Sequence, residues 1–201
     1  MSRSARRRRN DHHPAPSPGA LRIIAGEFGG RRVDAPGGTE SRPTADRVRE
    51  AIFNMLESRR GIDGAMVLDA FAGSGAFGLE ALSRGAENVR FADTSAAAVS
   101  VIRDNLDELG LAHRAEVRNI DALMALGTGR WDIIFLDPPY GHDEAAWAEL
   151  LRGVIDTLAP GGVVVTESDH EISAPEGMDA LRSRRYGGTV VTFLIHTGVD
   201  E

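Results

Sequence analysis

The chain has 201 residues, of which 42% are hydrophobic and 5% aromatic, and it contains no cysteine. This length suits one domain of ordinary size with a buried core. No stretch approaches the roughly 18 uninterrupted apolar residues of a membrane span, and the lack of cysteine excludes disulfides, thiol nucleophiles and zinc–thiolate sites. We therefore expect a soluble, cytoplasmic protein.

The net charge of −7 combines two regions of opposite charge. Residues 1–60 contain 13 Arg and 7 acidic residues, whereas residues 61–201 contain 10 Arg and 23 acidic residues. An acidic body with a basic N-terminal third indicates a polyanionic partner. All 23 cationic residues are Arg, which suits bidentate phosphate contacts but also fits GC-rich codons.

The N-terminal residues differ in composition from the rest of the chain. Residues 1–19 lack apolar periodicity and are rich in Arg, Pro and Ser, which predicts disorder. We divide the chain into a disordered basic tail (1–20), an N-terminal hairpin and helix (21–60) and a main domain (61–201).

Two elements are predicted after the tail. Residues 21–26 and 29–35 alternate apolar and polar side chains around a glycine-containing turn, which is typical of a β-hairpin. Residues 42–59 then predict a helix, because apolar side chains recur at helical spacing. The apolar stripe consists of Val48, Ile52, Met55 and Leu56. The other face carries Arg42, Arg47 and Arg49.

From residue 65 onward, predicted strands and helices alternate. The strands are expected at residues 65–71, 88–93, 115–119, 131–137 and 162–168. The last helix between them has an apolar stripe from Trp147 to Leu158 and stops at the Pro-Gly-Gly of residues 160–162. Continuous apolar strands separated by helices predict a parallel sheet covered on both faces. Residues 181–196 predict a closing antiparallel hairpin at one edge.

A glycine-rich loop follows the first of these strands. Gly73, Gly75 and Gly78 have G-x-G-x-x-G spacing, and Asp93 lies 20 residues after Gly73 at the end of the second strand. This spacing is typical of a nucleotide-binding loop in which the acid accepts from ribose hydroxyls. The glycines would also suit a tight strand–helix turn without a ligand.

Asp69 distinguishes between the two candidate ligands of this loop, NAD and S-adenosylmethionine. A carboxylate at the end of the strand would repel a pyrophosphate, because the negative charge of a pyrophosphate is bound at the N-terminus of the helix that follows. S-adenosylmethionine has no phosphate, and its ammonium and sulfonium groups suit a nearby carboxylate. Asp69 therefore favours S-adenosylmethionine over NAD. Asp121, after the third strand, could reach the adenine amine or could cap the helix that follows.

The fourth strand ends in Asp137, Pro138, Pro139 and Tyr140. We expect this strand beside the first one, so that Asp137 faces the glycine loop across a crevice. The prolines fix the backbone, and the Asp137 carboxylate and the Pro138 carbonyl could together hold an exocyclic NH₂ group. Tyr140 offers a flat face for an unstacked base. The alternative is a stiff surface turn.

With both loops, the chain resembles class I S-adenosylmethionine-dependent methyltransferases of the amino-methylating (Asn/Asp)-Pro-Pro-(Tyr/Phe) group. RIIAGEFGGRR (22–32) and RPTADRVREAIFNML (42–56) are similar to the opening of the bacterial 16S rRNA (guanine-966-N2)-methyltransferase family. The resemblance covers roughly residues 21–196. It implies a Rossmann-like α/β fold, a mostly parallel seven-stranded sheet with an antiparallel C-terminal hairpin, helices on both faces, and a small N-terminal hairpin plus helix.

The resemblance also implies roles for individual residues. Cofactor-binding residues would be Asp69, Phe71, Ala72, Gly73, Ser74, Gly75, Asp93, Thr94 and Asp121. The base would be held by Asp137, Pro138, Pro139 and Tyr140. RNA phosphates would be met by Arg31, Arg32, Arg42 and Arg47 of the N-terminal segment, which could also cover the cofactor. Relatives often have Glu at position 93 and a second acid where this chain has Ser95, so its ribose contacts are expected to be weaker or water-mediated.

The implied reaction transfers a methyl group from S-adenosylmethionine to the N2 amine of guanine 966 in 16S rRNA. The expected partner is 16S rRNA or the assembling small ribosomal subunit, and we expect a monomer without a metal. Alternatives are an amino-methyltransferase acting on DNA adenine or on a release-factor glutamine, an NAD-dependent oxidoreductase, and a nucleic-acid-binding module that has lost catalysis. Asp69 argues against the oxidoreductase, and the intact loops argue against the inactive module.

Overall fold

The computed structural model of the protein describes residues 20–38, 43–139 and 141–197. The predictions for the tail, Arg42 and Tyr140 lie outside these residues. The strands are β1 (Ala20–Arg22), β2 (Arg32–Asp34), β3 (Met66–Asp69), β4 (Asn88–Ala92), β5 (Ala115–Arg118), β6 (Trp131–Leu136), β7 (Leu158–Ser168), β8 (Met178–Tyr186) and β9 (Thr189–His196). The helices are α1 (Pro43–Arg59), α2 (Ala76–Ser83), α3 (Ala96–Leu109), α4 (Ala122–Leu126) and α5 (Glu144–Ile155).

Seven strands form the main sheet in the order β5-β4-β3-β6-β7-β9-β8. Strands β3 to β7 run parallel to one another, and β9 is antiparallel to both β7 and β8. This topology confirms the predicted class I methyltransferase fold. After β5 the chain crosses to the other side of β3, so β3 and β6 meet at a topological switch point, where open α/β sheets bind their ligands.

Both faces of the sheet are covered by helices. Residues of α1, α2 and α3, such as Phe53, Leu79 and Ile102, share one buried cluster. Residues of α4 and α5, such as Leu126 and Trp147, share another. The strand β6 contributes alternate residues to the two clusters, which explains why its sequence WDIIFL is almost uninterrupted in apolar character.

The N-terminal hairpin is docked on α2 by a fully buried carboxylate. Glu80 accepts hydrogen bonds from the backbone N–H groups of Ile24 (2.7 Å) and Ala25 (3.1 Å), and from Arg84 Nε (2.8 Å). A Cβ at Gly26 would overlap the carbonyl group of Ser83. The IIAGEFGG segment (23–30) is therefore needed for packing against α2.

One helix boundary of the prediction is wrong. The helix α5 ends at Ile155, and Leu158, predicted to belong to its apolar stripe, begins β7. The Pro-Gly-Gly of residues 160–162 lies within this strand, where the register against β6 shifts: Trp131 pairs with Leu158, but Ile133 pairs with Val163. A proline that lacks a backbone N–H is tolerated at such a bulge.

Among the described residues, no helix combines the length and the apolar character that a bilayer crossing requires.

Candidate active site

A cleft of about 900 Å³ opens beside the carboxyl ends of the central strands. Its size suits a small-molecule ligand, since such sites usually measure about 300–1,000 Å³. Elements on all sides contribute to its lining: Gly73, Ser74, Ala76 and Phe77 of the glycine loop and α2; Asp93 and Ser95 after β4; Asp137 after β6; Glu167 of β7; Thr44, Ala45, Val48 and Arg49 of α1; and Tyr186, Gly187, Gly188 and Thr189 at the β8–β9 turn.

The glycines of the loop are required for two different structural reasons. Gly73 and Gly75 have positive φ values of 50° and 77°, which side chains with a Cβ rarely adopt. Gly78 has ordinary helical geometry, but a Cβ there would overlap the ring of Phe91 in β4. The third glycine therefore permits close packing of α2 on the sheet, and the first two shape the loop at the cleft.

Asp69 lies beneath this loop and outside the cleft lining. It is 2% exposed, and its Oδ2 accepts a hydrogen bond from the Gly78 backbone N–H (3.0 Å) in the first turn of α2. Burial raises the pKa of Asp69 to about 7, and the charges of Asp137 and Asp93 add to this effect. The protein's own carboxyl group thus already uses one backbone N–H of the first turn of α2, where an anion would otherwise be favoured.

Asp93 is half-buried and lines the cleft. Its Oδ2 accepts from the Gly73 backbone N–H and its Oδ1 from the Ser95 backbone N–H, both at 2.7 Å. A carboxylate has about four lone-pair positions, so acceptor capacity remains for ribose hydroxyls. Thr94 beside it is exposed. Ser95 caps α3 by accepting from the Ala98 N–H (3.3 Å).

Three other predicted cofactor residues have contacts away from the cleft. Asp121 Oδ1 accepts from the Met124 N–H at 2.8 Å, so the structure shows it as the cap of α4. Ala72 is buried and donates its N–H to the Ala92 carbonyl (2.9 Å). The ring of Phe71 lies edge-on to that of His142, with the ring centroids 6.1 Å apart. These residues shape the edges of the loops.

Asp137 lies in the cleft, across from the glycine loop as expected. Its carboxyl group is accessible from the cleft but surrounded by protein on most sides, and this burial raises its pKa to about 6. Pro138 and Pro139 border a small depression on the other side of their loop, which also includes Trp147 and Glu167. The structure therefore places the Asp137 carboxylate, and not the prolines, among the cleft-lining groups.

Comparisons of sequence and of structure relate this chain to the same group of proteins. The sequence profile of the family described as "Conserved hypothetical protein 95" matches residues 21–195. The chain belongs to this family. The protein YlbH of Bacillus subtilis is 39% identical over 85% of this chain and 96% of its own length. Ribosomal RNA small subunit methyltransferase D of Haemophilus influenzae is 35% identical over 84% and 90%. The solved structure of yhhF from Escherichia coli superposes with a TM-score of 0.78, at 35% identity, over 89% of this chain and 98% of that one.

In this member of the conserved hypothetical protein 95 family, Glu167 is a cleft residue that our sequence analysis missed. Burial and the nearby charge of Asp137 raise its pKa to about 8, although Arg49 opposes the shift. The signal was present in the sequence: Glu167 stands at the carboxyl end of the predicted strand after the Asp-Pro-Pro-Tyr loop. Acids at that edge of a parallel sheet face the crevice.

Arg49 corrects our prediction for the basic face of α1. It is 4% exposed, and its Nη2 donates to the Arg22 carbonyl (2.6 Å) and to Asp46 Oδ1 (3.0 Å). Burial lowers the pKa of Arg49. The guanidinium is buried because β1 and the first turn of α1 supply acceptors for it, which helical periodicity does not reveal.

The arginines predicted to meet RNA have different surroundings. Arg31 forms an ion pair with Glu108 of α3 (3.4 Å), whereas Arg32 and Arg47 are exposed. Two further exposed arginines, Arg182 and Arg184 of β8, pair with β9 residues that pack on the α1 side of the sheet. Directly opposite residues of an antiparallel pair share a face. These two arginines therefore lie on the same side as α1.

Proposed function

We propose that this protein transfers a methyl group from S-adenosylmethionine to the N2 amine of guanine 966 in 16S rRNA. The observation that carries the proposal is the pairing, in one cleft, of the glycine loop and Asp93 with Asp137 across the β3–β6 switch point. Membership in a family with relatives named as small-subunit rRNA methyltransferases supports rRNA as the substrate.

Several residues of the cofactor side fit S-adenosylmethionine. Gly73 and Ser74 bring backbone and a small side chain to the cleft, and Asp93 keeps acceptor capacity for ribose hydroxyls. Asp69 already interacts with the N-terminal turn of α2, which disfavours a pyrophosphate there. When bound, S-adenosylmethionine supplies an electrophilic methyl group on a sulfonium. Tighter binding of NADH than of S-adenosylhomocysteine would contradict this part of the proposal.

Asp137 prepares the amine for attack. The lone pair of a nucleobase amine is delocalised into the ring, so the free amine is a poor nucleophile. A carboxylate that accepts from the amine hydrogens draws the nitrogen toward tetrahedral geometry and directs its lone pair at the methyl group. As the N–C bond forms and the C–S bond breaks, one amine proton leaves, and the Asp137 carboxylate accepts it. Most of the rate then comes from positioning.

Residues 21–60 are proposed to cover the cofactor and to contact RNA. The helix α1 contributes Thr44, Ala45 and Val48 to the cleft. Exposed Arg32 and Arg47 can meet phosphates of the RNA outside it. The stacking role of Tyr140 and the phosphate contact of Arg42 stay predictions, as does a cytoplasmic monomer.

The function is tested by product identification. Labelled S-adenosylmethionine and the full chain are incubated with methyl-deficient small ribosomal subunits, naked 16S rRNA, DNA and release factor, followed by digestion and analysis of the labelled product. We expect label in N2-methylguanine at position 966, in rRNA or in subunits. Label confined to adenine or glutamine, or to another guanine, contradicts the proposal.

A further inference from the structure

We propose that Glu167 and Asp137 together bind the Watson–Crick edge of the target guanine, with Glu167 pairing with N1–H and O6 while Asp137 holds the N2 amine. This inference rests on the proposed function and deepens it. It assigns base selection to Glu167, a residue that the Asp-Pro-Pro-Tyr loop does not include.

The strand register places the two acids side by side. Leu136 of β6 pairs with Thr166 of β7, so the next residues along these parallel strands are Asp137 and Glu167. Neighbouring strands lie about 4.8 Å apart, and both side chains line the same cleft. Two adjacent acids can therefore meet adjacent positions of one purine edge, the 2-amine and the N1–H.

Neither carboxyl group accepts a hydrogen bond from the part of the protein that the structure describes. Among residues 20–38, 43–139 and 141–197, no backbone or side-chain group donates a hydrogen bond to Asp137 or Glu167. Asp137 is exposed to the cleft and Glu167 is partly buried beside it, so a ligand in the cleft can reach both carboxyl groups. The guanine edge offers donors at N1 and N2 and an acceptor at O6, which matches this pair of acids.

The protonation of the pair matches the base. The pKa of Asp137 is raised to about 6 by burial, and that of Glu167 to about 8 by burial and by the charge of Asp137. Burial raises the pKa of both carboxyl groups, so the pair retains one proton near neutral pH, and the charge of Asp137 favours that proton on Glu167. A neutral acid has one donor and one acceptor, and it can donate to O6 while accepting from N1–H.

Other charged groups face this pair from neighbouring elements. In the described part of the chain, the titratable groups that border the same cleft or depression are Arg49 of α1, Asp93 after β4, Asp169 after β7, Tyr186 of β8 and His142 after the proline loop. Buried Asp69 of β3 lies beneath the cleft and interacts electrostatically with Asp137. Arg49 is the only cation among them that affects the pKa of Glu167, and it lowers the pKa without cancelling the effect of burial.

The pairing explains selection against adenine. Adenine has an acceptor at N1 and a C–H at position 2. In the same orientation, adenine would place no amine beside Asp137. A base without the N1–H and O6 pair loses the bidentate contact with Glu167. A good bidentate contact to a base discriminates by about 10- to 100-fold.

The first test compares two substitutions of Glu167. Glu167→Ala removes both hydrogen-bonding groups, and we expect kcat/KM for the RNA to fall about 10- to 100-fold. Glu167→Gln keeps one donor and one acceptor in the same plane, and we expect it to retain kcat/KM within about threefold. S-adenosylhomocysteine affinity and the melting temperature should be unchanged in both. An equal loss in both variants overturns the proposal that a neutral acid binds the base.

The second test uses a base analogue. RNA with 2-aminopurine at the target position keeps the 2-amine but lacks N1–H and O6. The wild type should prefer guanine over this analogue by about tenfold or more in kcat/KM, and Glu167→Ala should reduce that preference to near one. A merely structural role for Glu167 would leave the preference unchanged, and that result overturns the inference.

The pH profile gives a third readout. Activity of the wild type should rise as the Asp137–Glu167 pair loses its first proton and fall above about pH 8 as the pair loses its second. Glu167→Gln should keep the acidic limb and lose the alkaline one. If the wild type modifies no guanine N2 at all, the proposed function fails. If it does so while Glu167→Ala is fully active, only this inference fails.

Discussion

On the β3–β5 side of the sheet, the acids accept hydrogen bonds from backbone N–H groups. On the β6–β7 side, the acids accept no hydrogen bond from the residues that the structure describes. Asp69 binds the Gly78 N–H, Asp93 binds those of Gly73 and Ser95, and Asp121 binds that of Met124. For Asp137 and Glu167, no group in the part of the chain that the structure describes donates such a bond.

This difference separates two uses of the same side chain. On the cofactor side, the acids hold loops in place, and of the three only Asp93 also lines the cleft and can present its remaining lone pairs to a ligand. On the base side, the acids contribute little to the loop geometry and keep their hydrogen-bonding capacity for the substrate. Substitution of Asp93 should therefore reduce both stability and cofactor binding, whereas substitutions on the base side should reduce catalysis alone.

The largest expected effect is that of Asp137→Ala. Removal of the acceptor leaves the amine delocalised and unaligned, so we expect methyl transfer to fall by at least about 1,000-fold. The dissociation constant for S-adenosylhomocysteine and the unfolding free energy should stay nearly unchanged. Single-turnover methylation, calorimetric titration and denaturant unfolding measure the three quantities. A large loss of cofactor affinity would show that Asp137 belongs to the cofactor side.

Sequence reasoning located most of the acids, because the end of a strand is a local feature. Apolar runs stop at Asp69, Asp93 and Asp137, and the alternation of strands and helices is enough to place those ends at one edge of a sheet. Which backbone groups those acids bind depends on the conformation of the loops. The cap formed by Asp121 could be proposed from the sequence but not chosen over the adenine contact.

The residues that escaped prediction depend on contacts between distant segments. Arg49 is buried because the Arg22 carbonyl, 27 positions away, accepts from it. Glu80 is buried because Ile24 and Ala25 of the hairpin donate to it. Helical periodicity identifies an apolar face, but it does not show that a charged side chain will find partners in another element. Glu167, by contrast, could have been found from its place at a strand end.

A second prediction concerns the packing of the cofactor loop. In Gly78→Ala, the new Cβ would overlap the fully buried Phe91 ring, and we expect the unfolding free energy to fall by about 1–3 kcal/mol. Gly153→Ala in α5 is the matched control, because its Cβ would lie 3.5 Å from Leu126 Cδ1, an ordinary contact. That variant should be neutral or more stable by up to about 1 kcal/mol, since alanine favours a helix.

Urea unfolding of both variants measures this effect. Equal stability changes in the two would contradict a special packing role for Gly78. Cofactor affinity should fall with stability only in Gly78→Ala, since α2 carries the cofactor loop at its N-terminus.

The third prediction compares two acids of the cofactor side. Asp93→Ala removes acceptors for the Gly73 and Ser95 N–H groups, so we expect the dissociation constant for S-adenosylhomocysteine to rise about 10- to 100-fold. The unfolding free energy should also fall by about 1–2 kcal/mol. Asp121→Ala should lose the cap of α4 and about 1 kcal/mol of stability. Unchanged cofactor affinity in Asp121→Ala would exclude an adenine contact.

The smallest expected effect lies outside the cleft, at exposed Arg47 of α1. Loss of one phosphate contact should weaken RNA binding only a few-fold, because each contact at moderate salt is weak, and cofactor affinity should not change. Salt dependence measures this contact: the slope of log K for RNA association against log salt concentration should become shallower by about 0.7 in Arg47→Gln if the contacted RNA is single-stranded.

The control is Arg152→Gln. Arg152 is an exposed arginine of α5 on the opposite side of the sheet, and its substitution should leave the slope unchanged. Equal slopes for Arg47→Gln and the wild type would move the RNA path away from α1, toward Arg182 and Arg184 of β8, and the same measurement on those two arginines would then locate it.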